Sequence, residues 1–377
     1  MKRIILGSDK HDELKSITRG KRCGLLTAAS GVDSFGIPTY YKLHSLGVLS
    51  VLFSPEHGVH SVMQDGGWSG EYVDKETGLP VFDLPSKGNP HIDRALSLCD
   101  IVIYDIQDVG ARFYTYVYCL TYLMEECAKR AIPVYVLDRP DPISGGLDKI
   151  SGAILDEERF SSFVGKYAMP VRYSLTCGEF ALYINRTKNI NCDLHIVKCE
   201  NWCREQYWDD TNLLWINPSP NIPTVHSAVN YIGTCLIEAT NASEGRGTTR
   251  PFDIVGAPFV DSLKLTEHLN SLKLDGIIFS RAFFTPMFGK CQGECCEGVQ
   301  LNIIDKRSYN PHLAGLHILA ALRNYKELTI RDNGLCLRYG NDALIDPLGF
   351  DPIEVFKSES SGIEKFKTEI NNYLLYN

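Results

Sequence analysis

Between Cys23 and Asp138, short apolar runs rich in β-branched residues recur, and most stop abruptly at acidic or polar residues. Cys23-Gly24-Leu25-Leu26-Thr27-Ala28 is the first. Residues 48–53 run into Ser54-Pro55-Glu56-His57-Gly58, residues 101–104 into Asp105-Ile106-Gln107-Asp108-Val109-Gly110, and residues 134–137 into Asp138-Arg139-Pro140. Runs this short, bounded by turn residues, read as strands buried on both faces of a parallel sheet. The stretches between them, 40–46, 91–98 and 114–130, have helical spacing. This β-α-β alternation predicts an α/β fold with a Rossmann-like parallel-sheet N-terminal domain. No Gly-x-Gly-x-x-Gly follows the first strand, so a dinucleotide is not indicated.

Farther along, the pattern is less regular. Thr176 with Glu179 three residues later predicts a capping box on a helix over 176–185. Residues 194–199 read as a strand. The segment 215–223 holds Pro218, Pro220 and Pro223 and must be extended or turning. A domain boundary just after it divides the chain into a catalytic domain, 1–225, and a smaller α+β auxiliary domain, 226–377. In the second part, 224–238, 312–324 and 363–375 have helical patterns, and strands are expected at 276–279 and 299–304.

The 377 residues carry a formal net charge of −8 with no long basic run. That argues against nucleic acid or an anionic membrane surface as the main partner. No apolar stretch is long enough to span a membrane, and no secretory signal is visible. Thirteen cysteines, an odd number, include several inside apolar runs, such as Cys99, Cys119 and Cys235. Buried reduced thiols in the cytoplasm are the expectation.

Ligands of open α/β sheets bind outside the carboxyl ends of the strands. Side-by-side strands would gather Glu56, Asp105, Asp108 and Asp138 at one rim, with His57, Arg112 and Arg139 among them. Glu56, between a proline and a glycine, has the fixed context that a proton donor in glycoside hydrolysis needs. The segment 105–116 adds Gln107, Tyr114 and Tyr116, groups suited to polyols; equally, Asp105 caps a turn there and Arg112 pairs with a neighbouring carboxylate. In the loop Asn241-Ala242-Ser243-Glu244-Gly245-Arg246-Gly247-Thr248 the glycines permit close approach to a ligand, and Arg246 suits a carboxylate; a solvent-exposed charged loop is the other reading. Three thiols in Cys291-Gln292-Gly293-Glu294-Cys295-Cys296 suggest zinc, yet no second ligand pair stands nearby. His57 and His60 with Asp105 and Asp108 form another conceivable metal set, with nothing to fix their distances. No metal and no cofactor are expected.

The chain resembles the NamZ-type (YbbC-like) exo-β-N-acetylmuramidases nearly end to end. The resemblance is carried by Gly24-Leu25-Leu26-Thr27, Phe53-Ser54-Pro55-Glu56-His57-Gly58, Thr77-Gly78-Leu79-Pro80-Val81, the whole of 105–116, Leu137-Asp138-Arg139-Pro140, Pro218-Ser219-Pro220-Asn221 and 240–248. It implies a Rossmann-like domain, a smaller C-terminal domain and a cleft between them. It also implies release of N-acetylmuramic acid from the non-reducing end of peptidoglycan fragments in cell-wall turnover, with Glu56 as the catalytic glutamate. Ala28-Ala29-Ser30-Gly31 stands where members often carry Asn-x-Thr-Gly, and Tyr173-Ser174-Leu175-Thr176 where they often carry His-Gly-x-Thr.

On this reading Glu56 is the general acid, and Asp105, Asp108 or Asp138 is the second carboxylate, as nucleophile, base or stabiliser. Arg112, Arg139 or Arg246 meets the lactyl carboxylate, and Tyr114 and Tyr116 contact the sugar. His57, Gln107, Asn241 and Glu244 complete the expected binding set. Two other readings use the same residues: a muropeptide-binding or sensing protein without turnover, and a metal-dependent hydrolase built on His57, His60 and the aspartates.

Overall fold

The structure, a computed structural model, describes residues 2–64, 66–67, 70–84 and 90–377. Seven strands form the first sheet: β1 (Cys23–Thr27), β2 (Leu49–Ser54), β3 (Tyr72–Val73), β4 (Pro80–Asp83), β5 (Ile101–Asp105), β6 (Val134–Leu137) and β7 (Leu194–Val197). Their order is β3-β4-β2-β1-β5-β6-β7, and every neighbouring pair is parallel except β3 with β4. A smaller antiparallel sheet holds β8 (Ile254–Ala257), β9 (Ile277–Phe284) and β10 (Cys296–Ile303) in the order β8-β10-β9. The expected α/β architecture with a smaller second sheet is present.

β1 and β5 are buried along their whole length, as central parallel strands are. Side chains alternate across the sheet. Leu26, Val102, Tyr104 and Val136 enter one core, against the helices Tyr116–Ala128 and Cys177–Thr187. Leu25, Leu52, Ile101 and Ile103 enter the other, with Leu14 and Leu43 from the helices His11–Thr18 and Thr39–Ser45. The first core continues without a break into the C-terminal part, through Val255, Val299, Leu316 and Ile318. Each such side chain contributes about 1.5–3 kcal/mol on burial, so the apolar packing that fixes one half against the other is extensive.

Thr176 and Glu179 form the predicted capping box. Thr176 Oγ1 accepts from the Glu179 N–H at 3.2 Å, and Glu179 Oε2 accepts from the Thr176 N–H at 3.0 Å. The helical stretch expected at 224–238 is an α-helix, Val225–Thr234, that tightens into a 3-10 turn, Cys235–Ala239, before the chain enters the loop 241–248. No strand was expected where β4 and β8 lie; β4 opens on Pro80 and β8 contains Gly256, so neither carries a long apolar run. Among the described residues, no helix is long and apolar enough to cross a membrane.

Candidate active site

Strand register places the ends of β2, β1, β5 and β6 at one edge of the sheet, with Thr27 beside Asp105 and Ser54 beside Asp83. Glu56 leaves β2 there. His57 follows with φ +74° and Gly58 with φ +86°, two left-handed residues in succession that fold the chain sharply back. Such geometry in a non-glycine residue persists only where the surroundings impose it. Here the His57 ring is tied by Nδ1, which donates to the Met63 carbonyl at 2.7 Å, and its N–H reaches the Gly67 carbonyl at 3.3 Å. A carbonyl only accepts, so Nδ1 carries a hydrogen. The Glu56 carboxylate takes one donor on each oxygen: the Gly66 N–H at 2.9 Å and the Thr115 hydroxyl at 2.9 Å. Thr115 precedes the helix Tyr116–Ala128 without capping it; its hydroxyl is turned to Glu56 instead.

Glu56 and His57 line a cleft of about 130 Å³. A single water needs roughly 10–15 Å³ on the same measure, so the space suits one sugar residue rather than a glycan strand. Phe113, Tyr114, Phe163, Tyr231 and Phe252 supply an aromatic lining. Tyr231 sits edge-on to Phe113 at 4.8 Å and to Phe252 at 4.5 Å between ring centres. The buried Tyr114 hydroxyl, nearest to Ser219 and Tyr116, has no well-formed hydrogen bond among the described residues. Burial first, then the neighbouring Tyr116, raises its pKa well above the ordinary phenol value, so it stays a proton-bearing donor.

The far wall comes from the C-terminal part. Glu238 Oε2 accepts from Arg338 Nε and Nη2 at 2.9 and 2.6 Å, and Glu238 Oε1 accepts from Arg246 Nη1. Burial pushes the Glu238 carboxyl up, but the two guanidiniums outweigh it and hold the pKa well below the usual range. Arg246 also pairs with Glu244 at 3.2 Å and lies over the Phe252 ring at 4.8 Å. Its loop requires glycine at two points. A Cβ on Gly245 (φ +86°) would sit 2.6 Å from the Arg250 carbonyl oxygen, and one on Gly247 (φ +80°) 2.4 Å from that of Phe288.

Of the expected site residues, Glu56, His57, Tyr114 and Arg246 therefore meet in one cleft. The three aspartates do not join them. Their backbone reaches the predicted edge, but their side chains turn inward to fasten loops. Asp105 is sealed against Arg139 at 2.6 Å and Thr39 at 2.5 Å. Asp108 accepts from the Tyr173 hydroxyl and from the Gly110 N–H at 2.9 Å. Asp138 accepts from Thr176 at 2.8 Å, the Gly178 N–H at 2.9 Å and Tyr376 at 2.6 Å. Gln107 bonds the Asp108 and Pro140 carbonyls, and Arg139 the Val32 carbonyl. Arg112 is wholly buried and donates to four main-chain carbonyls, those of Ala153, Met169, Arg338 and Tyr339. Tyr116 supports the site from behind, donating to the Pro218 carbonyl at 2.7 Å and meeting the His57 ring edge-on. Asn241 joins the Glu327 carbonyl and the Thr329 N–H on the surface, and Glu244 pairs with Lys290 at 2.6 Å beside the cleft.

Glu238, Arg338, Thr115 and Tyr231 were missed as site residues. Glu238 stands two residues before the Thr240-Asn241 motif, which was the available signal; Arg338 lies in a helix with no local mark of function. The two departures from the family pattern lie outside the cleft lining. Ser30 accepts from the Gln107 N–H at 3.2 Å, and Tyr173 serves Asp108. Among the described residues no three His, Cys, Asp or Glu side chains converge as a metal site, and Cys291, Cys295 and Cys296 are free.

Asp141, in the loop after β6, is a further buried carboxyl. Burial pushes its pKa up to about 7, with the Ile143 N–H pulling against it. A carboxyl raised in the folded state stabilises the fold fully below its unfolded pKa and loses that contribution as pH rises towards the folded value. Stability contributed by Asp141 should therefore decline between about pH 4 and pH 7. In urea titrations across this range, Asp141→Asn should flatten the decline, by at most roughly 1.4 kcal/mol per pH unit; parallel curves for the two proteins would contradict the assignment.

The family model described as exo-beta-N-acetylmuramidase NamZ, N-terminal, matches residues 23–226, and the corresponding C-terminal model matches residues 229–376. The peptidoglycan beta-N-acetylmuramidase NamZ of Bacillus subtilis (strain 168) is 44% identical over 315 residues, 83% of this chain and 75% of that protein. Two DUF1343 family proteins of Bacteroides fragilis NCTC 9343 have crystal structures that superpose on the whole chain and 99% of their own, with TM-scores of 0.88 at 31% identity and 0.78 at 26%. Matches that span both parts of the chain establish that it belongs to the NamZ exo-β-N-acetylmuramidase family.

Proposed function

We propose that this protein is a glycosidase that releases N-acetylmuramic acid from the non-reducing end of peptidoglycan fragments during cell-wall turnover. The observation that carries the reading is Glu56, fixed by one donor on each oxygen at the edge of a cleft sized for a single sugar. In the protonated form Glu56 gives its proton to the departing glycosidic oxygen as the C1–O bond breaks and positive charge develops at C1. A water then adds to C1 and passes its proton to the Glu56 carboxylate, which releases the free sugar and restores the acid. The aromatic lining contacts the sugar, and the Tyr114 hydroxyl is a donor for a polar substituent of it. The second carboxylate of the cleft is Glu238. Both its oxygens face guanidiniums, so its part is to hold those cations rather than to attack C1.

Turnover is favoured over simple binding because both departures from the family pattern leave the cleft lining untouched. The surplus of acidic residues and the apolar thiols support a cytoplasmic enzyme whose partner is the sugar, with neither nucleic acid nor membrane involved. A chromogenic β-glycoside of N-acetylmuramic acid tests the reading. Hydrolysis by the wild type is the expected result; calorimetric binding of the sugar with no release would favour a sensor. Thr115→Val removes one of the two fixed donors on Glu56 and should lower kcat about tenfold with little change in KM, a shift read from steady-state kinetics.

A further inference from the structure

Glu238, Arg246 and Arg338 form a partition with open space on two sides. The same three side chains line the Glu56 cleft and a second, open hollow of about 310 Å³, whose other walls include Glu244, Lys290 and Arg331. Together the two spaces hold four cations, Arg246, Lys290, Arg331 and Arg338, against the carboxylates Glu56, Glu238 and Glu244. A positive surplus here, in a chain of net charge −8, marks a place built for an anion. Among the described residues, the hydrogen bonds to Glu238 and to the Gly334 carbonyl take three of Arg338's five N–H groups. The rest of its fork is available to a ligand.

N-acetylmuramic acid differs from N-acetylglucosamine by one 3-O-lactyl ether, and hence by one carboxylate. An enzyme that selects the first must read that group. Resting on the proposed muramidase function, we propose that Arg246 and Arg338, cross-braced by Glu238, are the carboxylate-reading subsite that selects muramic acid over N-acetylglucosamine, and that Arg112 is the positioning residue that sets Arg338.

The brace is needed because two guanidiniums aimed at one small anion repel each other in the absence of ligand, and a fixed carboxylate between them holds both in place. Arg112 acts through the backbone. Its Nη2 donates to the carbonyls of Arg338 and Tyr339 at 2.8 and 2.7 Å, the last of the helix Asp332–Tyr339. A guanidinium there satisfies carbonyls that have no partner within the helix and complements the negative end of its dipole. Its Nη1 meanwhile donates to the Ala153 and Met169 carbonyls at 2.6 and 2.8 Å. Gly340 (φ +111°) completes the fit, since a Cβ there would lie 2.9 Å from Arg112 Nη2. The first half of the chain thus holds the second-half helix that presents Arg338 to the cleft.

The test is the ratio of kcat/KM for chromogenic β-glycosides of N-acetylmuramic acid and N-acetylglucosamine. The wild type should favour the muramic acid glycoside by on the order of 100-fold or more. Arg338→Gln should collapse that ratio to within about tenfold, because KM rises far more for the muramic acid glycoside than for the glucosamine glycoside. Arg338→Lys keeps the charge that Glu238 needs, guards against a folding failure, and should give an intermediate ratio. Arg112→Lys should shift the ratio in the same direction; equal loss on both substrates would mean a structural role only and overturn its assignment. An unchanged ratio in both Arg338 variants would overturn the subsite. Should the wild type hydrolyse neither glycoside, the muramidase reading fails separately. Calorimetry with the two free sugars then decides the subsite: a preference for muramic acid weakened in Arg338→Lys and lost in Arg338→Gln supports it, and no preference in the wild type refutes it.

Discussion

Glu56→Gln should lower kcat on a muramic acid oligosaccharide by roughly 10²–10⁴-fold and leave KM nearly unchanged. The substitution keeps the shape of the side chain and an oxygen to accept from the Gly66 N–H or the Thr115 hydroxyl. It removes only the transferable proton. The interaction lost is one made in the transition state, so kcat and kcat/KM should fall together. The size of the loss should also depend on the leaving group. A sugar hydroxyl leaves poorly without a proton, whereas a nitrophenolate leaves as a stable anion, so the defect should be smaller on the activated aryl glycoside. Equal defects on both substrates would indicate that Glu56 positions the sugar rather than protonating the leaving oxygen.

The second large effect concerns stability. Arg139→Ala should cost about 3–5 kcal/mol, because it strands the Asp105 carboxylate in the interior. The pair is 3% and 0% exposed and joins the loops after β5 and β6, while Arg139 also reaches the Val32 carbonyl in the loop after β1. Pairing the change with Asp105→Asn removes the stranded charge and should recover part of the loss. Urea midpoints of the wild type, the single variant and the double variant check this. A single variant as stable as the wild type would show that the pair is open to water. Neither residue lines the cleft, so the folded fraction should keep its kcat.

These two predictions rest on residues that looked alike in the sequence. Glu56, Asp105 and Asp138 all follow buried parallel strands, and the β-α-β pattern placed all three at the correct edge of the sheet. What a pattern of apolar runs leaves open is which way an acidic side chain turns once the strand ends. Asp105 and Asp138 meet Thr39, Arg139, Thr176 and Tyr376, partners that lie 34 to 238 positions away in the chain. Glu56 instead meets Thr115 and a sharp left-handed turn at His57 and Gly58. The resemblance to the muramidase family implied a catalytic role for Glu56, and of this set Glu56 is the member that lines the cleft. Arg112 shows the opposite case: a motif arginine whose four carbonyl partners make it a bolt between the two halves. Arg338 and Glu238 were illegible because the helix Asp332–Tyr339 and the turn Cys235–Ala239 reach the cleft only through long-range packing. β4 and β8 were lost for a simpler reason: each has four residues, and Pro80 in one and Gly256 in the other interrupt the apolar run that made the equally short β6 readable.

A time course on a reducing-end-labelled oligosaccharide that begins with N-acetylmuramic acid tests the central claim most directly. One cleft with room for one terminal sugar, and Glu56 at its edge, predicts free N-acetylmuramic acid and a chain one residue shorter as the first products, both formed roughly 10²–10⁴-fold more slowly by Glu56→Gln. Disaccharides or internal fragments as first products, or release by Glu56→Gln at the wild-type rate, would contradict it.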